Sequence, residues 1–211
     1  MKIKKILFTG FSPFGGEVTN PSWEAVKTLP SHIDGVEVLT AEMPTVFHKS
    51  IDALLKIIAD FQPDAVICAG QAGGRVGITI ERVAINCDDA PSFADNEGNQ
   101  PVDKKIATDG PDAYFTTLPI KAMVRDLREA GVPAAVSNSA GTFVCNHIMY
   151  GLLHHNSMRQ NPMAAGFVHI PFSPAQAAAK PNAPSMPLDL VVKGLETLVK
   201  TLLKNEDEVI L

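Results

Sequence analysis

Residues 134–155 read AAVSNSAGTFVCNHIMYGLLHH, and this stretch decides how the rest of the chain is interpreted. Its first residues are small and apolar, as at the end of a buried strand, and residues 137–141 are small and polar, as in a turn. After the turn, Val144, Ile148 and Leu152 recur every four residues, which is the spacing of one helical face. The stretch therefore predicts a strand, a tight turn and a helix in succession.

Cys145 falls in the first turn of this predicted helix. With Thr142 as the N-cap residue, unpaired backbone N–H groups and the positive end of the helix dipole favour an anion there. Such a position lowers the pKa of a thiol, and the thiolate is the nucleophilic form, so Cys145 is a candidate catalytic nucleophile. The alternative is a structural cysteine, because free cysteine is among the most buried residue types.

Composition restricts the class of protein. The chain has 211 residues, 45% of them hydrophobic and 19% charged, which predicts a single domain over residues 1–211 with a sizeable core. A net charge of −5 argues against nucleic-acid and anionic-membrane partners, since such binding relies on Lys and Arg. The apolar run at residues 6–8 is too short for a signal peptide, and we find no run with the length of a membrane helix. Three cysteines without a CxxC spacing indicate a reducing, cytoplasmic location rather than a disulfide framework or a zinc site.

Apolar runs typical of strands alternate with amphipathic runs typical of helices. Asn20 and Pro21 form a strong helix start, because Asn caps helices and proline suits the first helical position. The predicted strands are residues 5–11, 36–43, 65–69, 78–86, 132–136 and 164–170, and the predicted helices are residues 20–30, 46–61, 119–130, 143–155 and 188–203. This alternation predicts a three-layer α/β/α fold with an open, twisted, mainly parallel sheet.

Loops that follow the predicted strands carry the candidate chemistry. In such sheets ligands bind at the carboxyl ends of the strands, so we expect the loops after residues 11, 70, 137 and 169 to share one edge. Residues 87–113 show no periodicity, and loops of that length are usually functional or mobile. Residues 171–187 are a second irregular segment, rich in proline and alanine.

His169 and Glu81 are the candidates to complete a thiol-dependent acyl-transfer site with Cys145. His169 ends a predicted strand and is a candidate base for the thiol proton, in a type of site where a third side chain holds the imidazole. Glu81 interrupts the apolar alternation of a predicted strand, where an acid needs a partner. The alternatives are a core histidine at position 169 and an ion pair of Glu81 with Arg75 or Arg82.

Four separated regions of the sequence carry motifs that are interpreted together. They are GFSPFGG at 10–16 with NPS at 20–22, GQAGG at 70–74 followed by IERVAIN at 80–86, SNSAGTFVCN at 137–146, and HIP at 169–171. In this order they resemble the type I pyroglutamyl peptidase, or pyrrolidone carboxyl peptidase, family, and the likeness runs from end to end. The resemblance implies a cytosolic, cofactor-free cysteine exopeptidase that removes an N-terminal pyroglutamyl residue from peptides. It also implies a phosphorylase/hydrolase-like α/β fold and a homo-oligomer, usually a homotetramer.

Carried over by motif, the resemblance implies that Cys145 is the nucleophile, His169 the base and acid, and Glu81 the group that orients the imidazole. The substrate-binding residues predicted on this basis are Phe11, Phe14, Asn20, Gln71 and Phe143. A pocket for a flat, neutral lactam needs apolar faces and a few polar groups, and phenylalanines supply such faces, although they also fill cores. Backbone N–H groups near Cys145 and Gln71 are candidate oxyanion donors.

One segment departs from the family's pattern. After Asp88-Asp89-Ala90 the family typically has Arg-Ile-Pro, whereas this chain has Pro91-Ser92-Phe93-Ala94, one residue longer and without the arginine. If that arginine shapes the substrate or oxyanion region, activity or specificity differs here.

Two other classes of protein remain as alternatives. A non-catalytic relative that binds pyroglutamyl peptides is one. A nucleoside phosphorylase-like enzyme is the other, because Gly-rich loops at strand ends also hold anions, although neither Gly-rich loop matches a phosphate or dinucleotide motif. A metal site at His147, His154 and His155 is poorly supported, since no carboxylate or cysteine pattern accompanies them, and we predict none.

Overall fold

The computed structural model describes residues 2–204, and its centre is a seven-stranded sheet. The strands are β1 (Lys5–Phe11), β2 (His32–Ile33), β3 (Val36–Met43), β4 (Ala65–Gln71), β5 (Ile78–Glu81), β6 (Val83–Ile85), β7 (Ala113–Phe115), β8 (Ala134–Ser137) and β9 (Ala164–Ile170). Their order in the sheet is β2-β3-β1-β4-β9-β5-β8, and β6 pairs with β7 separately. The predicted bounds of β1, β3 and β9 agree with the structure because each is a continuous apolar or alternating run between polar residues.

Four adjacent strands, β3, β1, β4 and β9, are parallel to one another. β5 runs antiparallel to β9, and β8 runs parallel to β5. The sheet is therefore mainly parallel, as predicted. However, the carboxyl end of β8 points to the opposite edge from those of β1, β4 and β9, so the loop after β8 begins away from the shared edge. Only the end of that loop, at residues 143–145, reaches the residues that follow β1 and β4. An apolar run does not encode the direction of its strand.

Helices cover both faces of this sheet. They are α1 (Pro21–Val26), α2 (Lys49–Phe61), α3 (Ile120–Glu129), α4 (Val144–Ser157), α5 (Pro174–Ala178) and α6 (Leu188–Lys204). Successive residues of β1 point to opposite faces, so Ile6 joins a core cluster with Leu195 of α6, and Leu7 joins another with Ile148 of α4. The predicted three-layer α/β/α architecture is confirmed.

The start of α1 agrees with the sequence pattern. The Asn20 side chain accepts a hydrogen bond from the Ser22 backbone N–H at 3.1 Å, and Pro21 opens the helix. A Cβ atom on Gly10 would lie 2.5 Å from the Trp23 Cα, so only glycine lets β1 approach α1 this closely.

Several predicted boundaries are wrong, including the end of α1, which lies at Val26 rather than at residue 30, and the start of β8, which lies at Ala134 rather than at residue 132. α2 begins at Lys49 rather than at residue 46, because His48 takes a left-handed backbone conformation with φ of 59°. The strand predicted over residues 78–86 breaks at Arg82 into β5 and β6. Thr142 is not the N-cap of α4: Phe143 holds that position, and the Thr142 hydroxyl donates to the Asp89 carbonyl at 2.8 Å.

The two segments predicted to be irregular each contain a short element. β7 begins at Ala113, the last residue of the first segment, and pairs with β6. α5 lies inside the second, where Ser173 and Gln176 form a capping box. No helix among residues 2–204 has the length and apolar character needed to cross a membrane.

Candidate active site

Glu81 and His169 come together at the junction of β5 and β9. The His169 Nδ1 atom lies 2.7 Å from Glu81 Oε1, with the glutamate fully buried and His169 only 4% exposed. Because an ionised carboxylate only accepts hydrogen bonds, Nδ1 carries the proton and Nε2 is the basic nitrogen of the neutral ring. The pair is therefore an imidazole held in one tautomer by a carboxylate.

Cys145 lies at the first turn of α4, against the strand next to His169. A Cβ atom on Gly70 would be 2.9 Å from the Cys145 Sγ, and Gly70 is the register partner of His169 in the β4–β9 pair. Gly70 thus leaves the space that the thiol occupies. The neighbouring Asn146 is buried and anchors this turn, since its amide accepts from the Ile85 N–H at 2.9 Å and donates to the Ile85 carbonyl at 2.9 Å.

The protonation states differ from the expectation for a helix N-terminus. Burial, reinforced by the negative charge of Glu81, raises the pKa of the half-buried Cys145 thiol to about 12. The prediction of a readily ionised thiol is therefore wrong, because loss of solvent outweighs the helix dipole here. Burial also lowers the pKa of His169, although the hydrogen bond and charge of Glu81 act in the opposite direction. Both groups are consequently neutral near pH 7, and the thiol needs a base to become a nucleophile.

A small cavity opens beside the thiol. Its lining residues are Phe11, Phe14, Asn20, Thr45, Gln71, Phe143, Val144 and Cys145. The structure therefore places all five predicted substrate-binding residues around one cavity with Cys145. Their roles in binding remain predictions.

The polar residues of this cavity are fixed from behind. Gln176 of α5 is buried, and its amide donates to Gln71 Oε1 at 2.8 Å. The Thr45 hydroxyl donates to the Ser12 carbonyl at 2.9 Å. Neither Gln176 nor Thr45 was predicted from the sequence, although the S-x-x-Q pattern that begins at Ser173 is a capping-box signal.

Phe143 is the centre of an aromatic cluster at the cavity. Its ring centroid lies 6.1 Å from that of Phe14, 5.4 Å from that of Phe47 and 4.7 Å from that of Phe93. Phe93 belongs to the segment that departs from the family's pattern, and 51% of its surface is exposed. Phe93 therefore puts an aromatic ring against a wall of the cavity.

His147 and His154 have partners outside this site. The His147 ring is buried, with Nδ1 2.8 Å from an Asp88 oxygen and Nε2 accepting from the His48 N–H at 2.8 Å. His154 Nδ1 is 2.9 Å from the Tyr114 hydroxyl. Across residues 2–204, no group of three or more His, Cys, Asp or Glu side chains is arranged to hold a metal ion.

A carboxylate–imidazole pair, an adjacent thiol at a helix start and an aromatic cavity define the class: a cysteine-type hydrolase. The family model described as pyroglutamyl peptidase matches residues 4–205. The chain therefore belongs to the pyroglutamyl peptidase family, and the predicted family, fold and enzyme class are confirmed.

Relatives and solved structures agree with this membership. The chain is 53% identical over 205 residues to pyrrolidone-carboxylate peptidase of Clostridium perfringens, covering 97% of this chain and 96% of the relative. It superposes on pyroglutamyl peptidase I from Bacillus amyloliquefaciens with a TM-score of 0.93 and 50% identity, covering 98% of this chain and 97% of that one. A mutant pyrrolidone carboxyl peptidase from Pyrococcus furiosus gives a TM-score of 0.92 and 39% identity, covering 96% of this chain and 99% of that one. A nucleoside phosphorylase-like enzyme and a non-catalytic relative are not favoured by these comparisons.

Proposed function

We propose that this protein hydrolyses the amide bond that follows an N-terminal pyroglutamyl residue of peptides and proteins, through a thioacyl-enzyme intermediate. The observation that supports this most strongly is the single cavity shared by the Cys145 thiol and three phenylalanine side chains. Apolar walls suit the two faces of a flat lactam ring, and the Gln71, Asn20 and Thr45 side chains offer partners for its N–H and C=O groups.

In the first half of the proposed reaction, His169 Nε2 takes the thiol proton. Cys145 Sγ then attacks the carbonyl carbon of the amide bond that follows the pyroglutamyl ring, and not the carbonyl of the lactam. Backbone N–H groups near Cys145 and Gln71 hold the oxygen that becomes negative. The imidazolium, stabilised by the Glu81 carboxylate, then gives its proton to the departing amine, and a thioester remains on Sγ. In the second half, His169 removes a proton from water, hydroxide attacks the thioester, and pyroglutamate leaves as the thiol is restored.

The cavity also explains a preference for a blocked N-terminus. None of the eight lining side chains carries a charge. A peptide with a free α-amine would bring an ammonium ion into this cavity without an anionic partner, and burying an unpaired charge is costly. The uncharged lactam avoids that cost.

The proposal is tested by release of a fluorophore from pyroglutamyl-amide and prolyl-amide substrates. We expect release from the pyroglutamyl compound only, abolished by thiol alkylation and unaffected by chelators. Binding of a pyroglutamyl peptide without release would support the non-catalytic alternative, and stabilisation by nucleosides alone would support the phosphorylase-like one.

Replacing Phe143 with alanine removes one wall of the cavity. We expect KM for a pyroglutamyl amide to rise about tenfold, with a smaller change in kcat, because the lost contact is apolar and is made in the ground state as well. The matched control is Phe115→Ala, which removes a phenylalanine that is exposed and does not line this cavity. Equal changes in KM for both variants would show that Phe143 does not bind substrate.

The pH dependence of kcat/KM follows from the need for a neutral imidazole. Because burial lowers the pKa of His169 below its ordinary value of about 6.5, activity should hold at pH 6.5 and fall only at more acidic pH. Glu81 acts to raise this pKa, so in Glu81→Gln the acidic limb should move to still lower pH while the maximal rate drops partially. A pH series measures the acidic limb of the wild type and of Glu81→Gln, with folding checked at each pH. A wild-type acidic limb above pH 6.5 would contradict the assignment of His169 as the base.

We further propose that residues 1–211 form one peptidase domain working as a homotetramer in the cytoplasm. The family resemblance supports the assembly, and exposed apolar side chains such as Val102 and Met158 are available for a second copy to cover. The free state of Cys68, Cys87 and Cys145 supports a reducing compartment. Mass measurement of the native particle tests the tetramer.

A further inference from the structure

Glu81 has a second partner besides His169. Arg75 lies in the turn between β4 and β5, and its Nη1 atom donates to Glu81 Oε1 at 2.8 Å. The same guanidinium nitrogen also donates to the Thr79 hydroxyl. The ion pair and the histidine contact, which the sequence offered as alternatives, therefore coexist on one carboxylate oxygen.

The carboxylate depends on these two donors. The Glu81 side chain is fully buried, and within residues 2–204 its Oε2 atom has no hydrogen-bond partner. A buried charge is stable only when it is paired, and removing one partner of such a pair is strongly destabilising. Without Arg75, the Glu81 carboxylate would keep His169 as its remaining partner and would lose the contact that fixes its plane.

Arg75 also contacts the loop that leads to the nucleophile. Its Nη2 atom lies 3.4 Å from the carbonyl oxygen of Ser139, in the loop between β8 and α4. The Arg75 side chain is 25% exposed, so it enters from the surface and reaches the buried site. Its positive charge acts to lower the pKa of both Cys145 and His169. The Arg75 guanidinium thus contacts Glu81 and the loop before α4. Its charge also acts on Cys145 and His169.

We propose that Arg75 is a positioning residue for the reaction: it holds the Glu81 carboxylate so that the Glu81–His169 pair faces Cys145 in the reactive geometry. This inference rests on the proposed function. Arg75 does not line the cavity, and within residues 2–204 its side chain makes no hydrogen bond to a lining side chain, so it acts through Glu81 and not on the substrate.

The chain provides a matched control in Arg82. Its Nε atom donates to Asn138 Oδ1 at 2.8 Å, so it contacts the same loop one residue before Ser139. Within the described residues Arg82 has no hydrogen bond or ion pair with Glu81. A role that consists only of tethering this loop predicts the same effect from both arginines, whereas a role through Glu81 predicts an effect from Arg75 alone.

The first measurement compares Arg75→Gln with Arg82→Gln on a pyroglutamyl-amide substrate. For Arg75→Gln we expect kcat to fall about 10²-fold, the size of effect that misplacing a catalytic group produces, with KM within about threefold of wild type. Arg82→Gln should keep both constants within about threefold. An unchanged kcat in folded Arg75→Gln, or an equal fall in both variants, would overturn the proposal.

The second measurement asks whether Arg75 acts through Glu81. In a Glu81→Gln background the Arg75→Gln change should lower kcat by no more than about threefold, since residues that act as a unit are not additive. An undiminished effect in that background would overturn the proposal.

If Arg75→Gln does not fold, Arg75→Lys is measured in its place. A single ammonium cannot match the fork of donors toward Glu81 and Ser139, so kcat should still fall at least about threefold, and an unchanged kcat would overturn the proposal. If wild-type protein released no pyroglutamate at all, the proposed function would fail instead, which keeps the two failures distinct.

Discussion

Replacing Cys145 with alanine is expected to yield a folded protein whose kcat for pyroglutamyl amides is lower by about 10⁴-fold or more. The variant has no side-chain atom at position 145 that attacks the carbonyl. Cys145→Ser should also be nearly inactive, because a hydroxyl is a weaker nucleophile than a thiol and His169 is the only base proposed to activate it. The fold should survive both changes, since the side chain is small, only half-buried and unpaired by any disulfide.

The cysteine variants have an internal control in Cys87, which is also free and half-buried. Cys87→Ser should retain kcat and KM within about twofold, because Cys87 does not line the cavity. Mass spectrometry of acid-quenched wild-type enzyme during turnover should detect the pyroglutamyl thioester on Cys145. Retained turnover in Cys145→Ala, or acylation at Cys87, would reject the proposed nucleophile.

Much of the fold was readable from the sequence because its determinants are local. β1 and β9 are mostly apolar runs, and α1 begins with Asn20-Pro21, so their positions follow from burial and capping alone. The direction of β8 was not readable. It depends on pairing with β5 on the far side of β9, which is a property of the whole sheet.

The candidate site was also predictable only in part. Residue types at strand ends and at a helix start pointed to Cys145, His169 and Glu81, and motif resemblance pointed to the cavity residues. Contacts between distant segments carried no sequence signal of this kind: Gln176 fixes Gln71 from 105 residues away, and Arg75 reaches Ser139 across 64. The high pKa of Cys145 was missed for the same reason, because burial by tertiary packing outweighs the local helix dipole.

His169→Ala is the second variant with a very large expected effect: a fall in kcat of about 10³-fold or more at pH 7. With the pKa of the Cys145 thiol raised to about 12, the thiol is protonated at pH 7, so the nucleophile depends on a base to take its proton. The Glu81 carboxylate keeps Arg75 as a partner, so the variant should still fold.

The pH profile of this variant separates a lost base from a damaged site. Wild-type kcat should be level above the acidic limb, whereas the residual rate of His169→Ala should rise about tenfold per pH unit, because hydroxide must then generate the thiolate. His155→Ala is the matched control, since burial also lowers the pKa of His155 and its ring lines a different cavity. That control should keep wild-type rates and a level profile. A residual rate in His169→Ala that did not increase with pH would contradict the assignment of His169 as the base. Loss of the base should make the thiolate population limit the rate, and that population rises with pH.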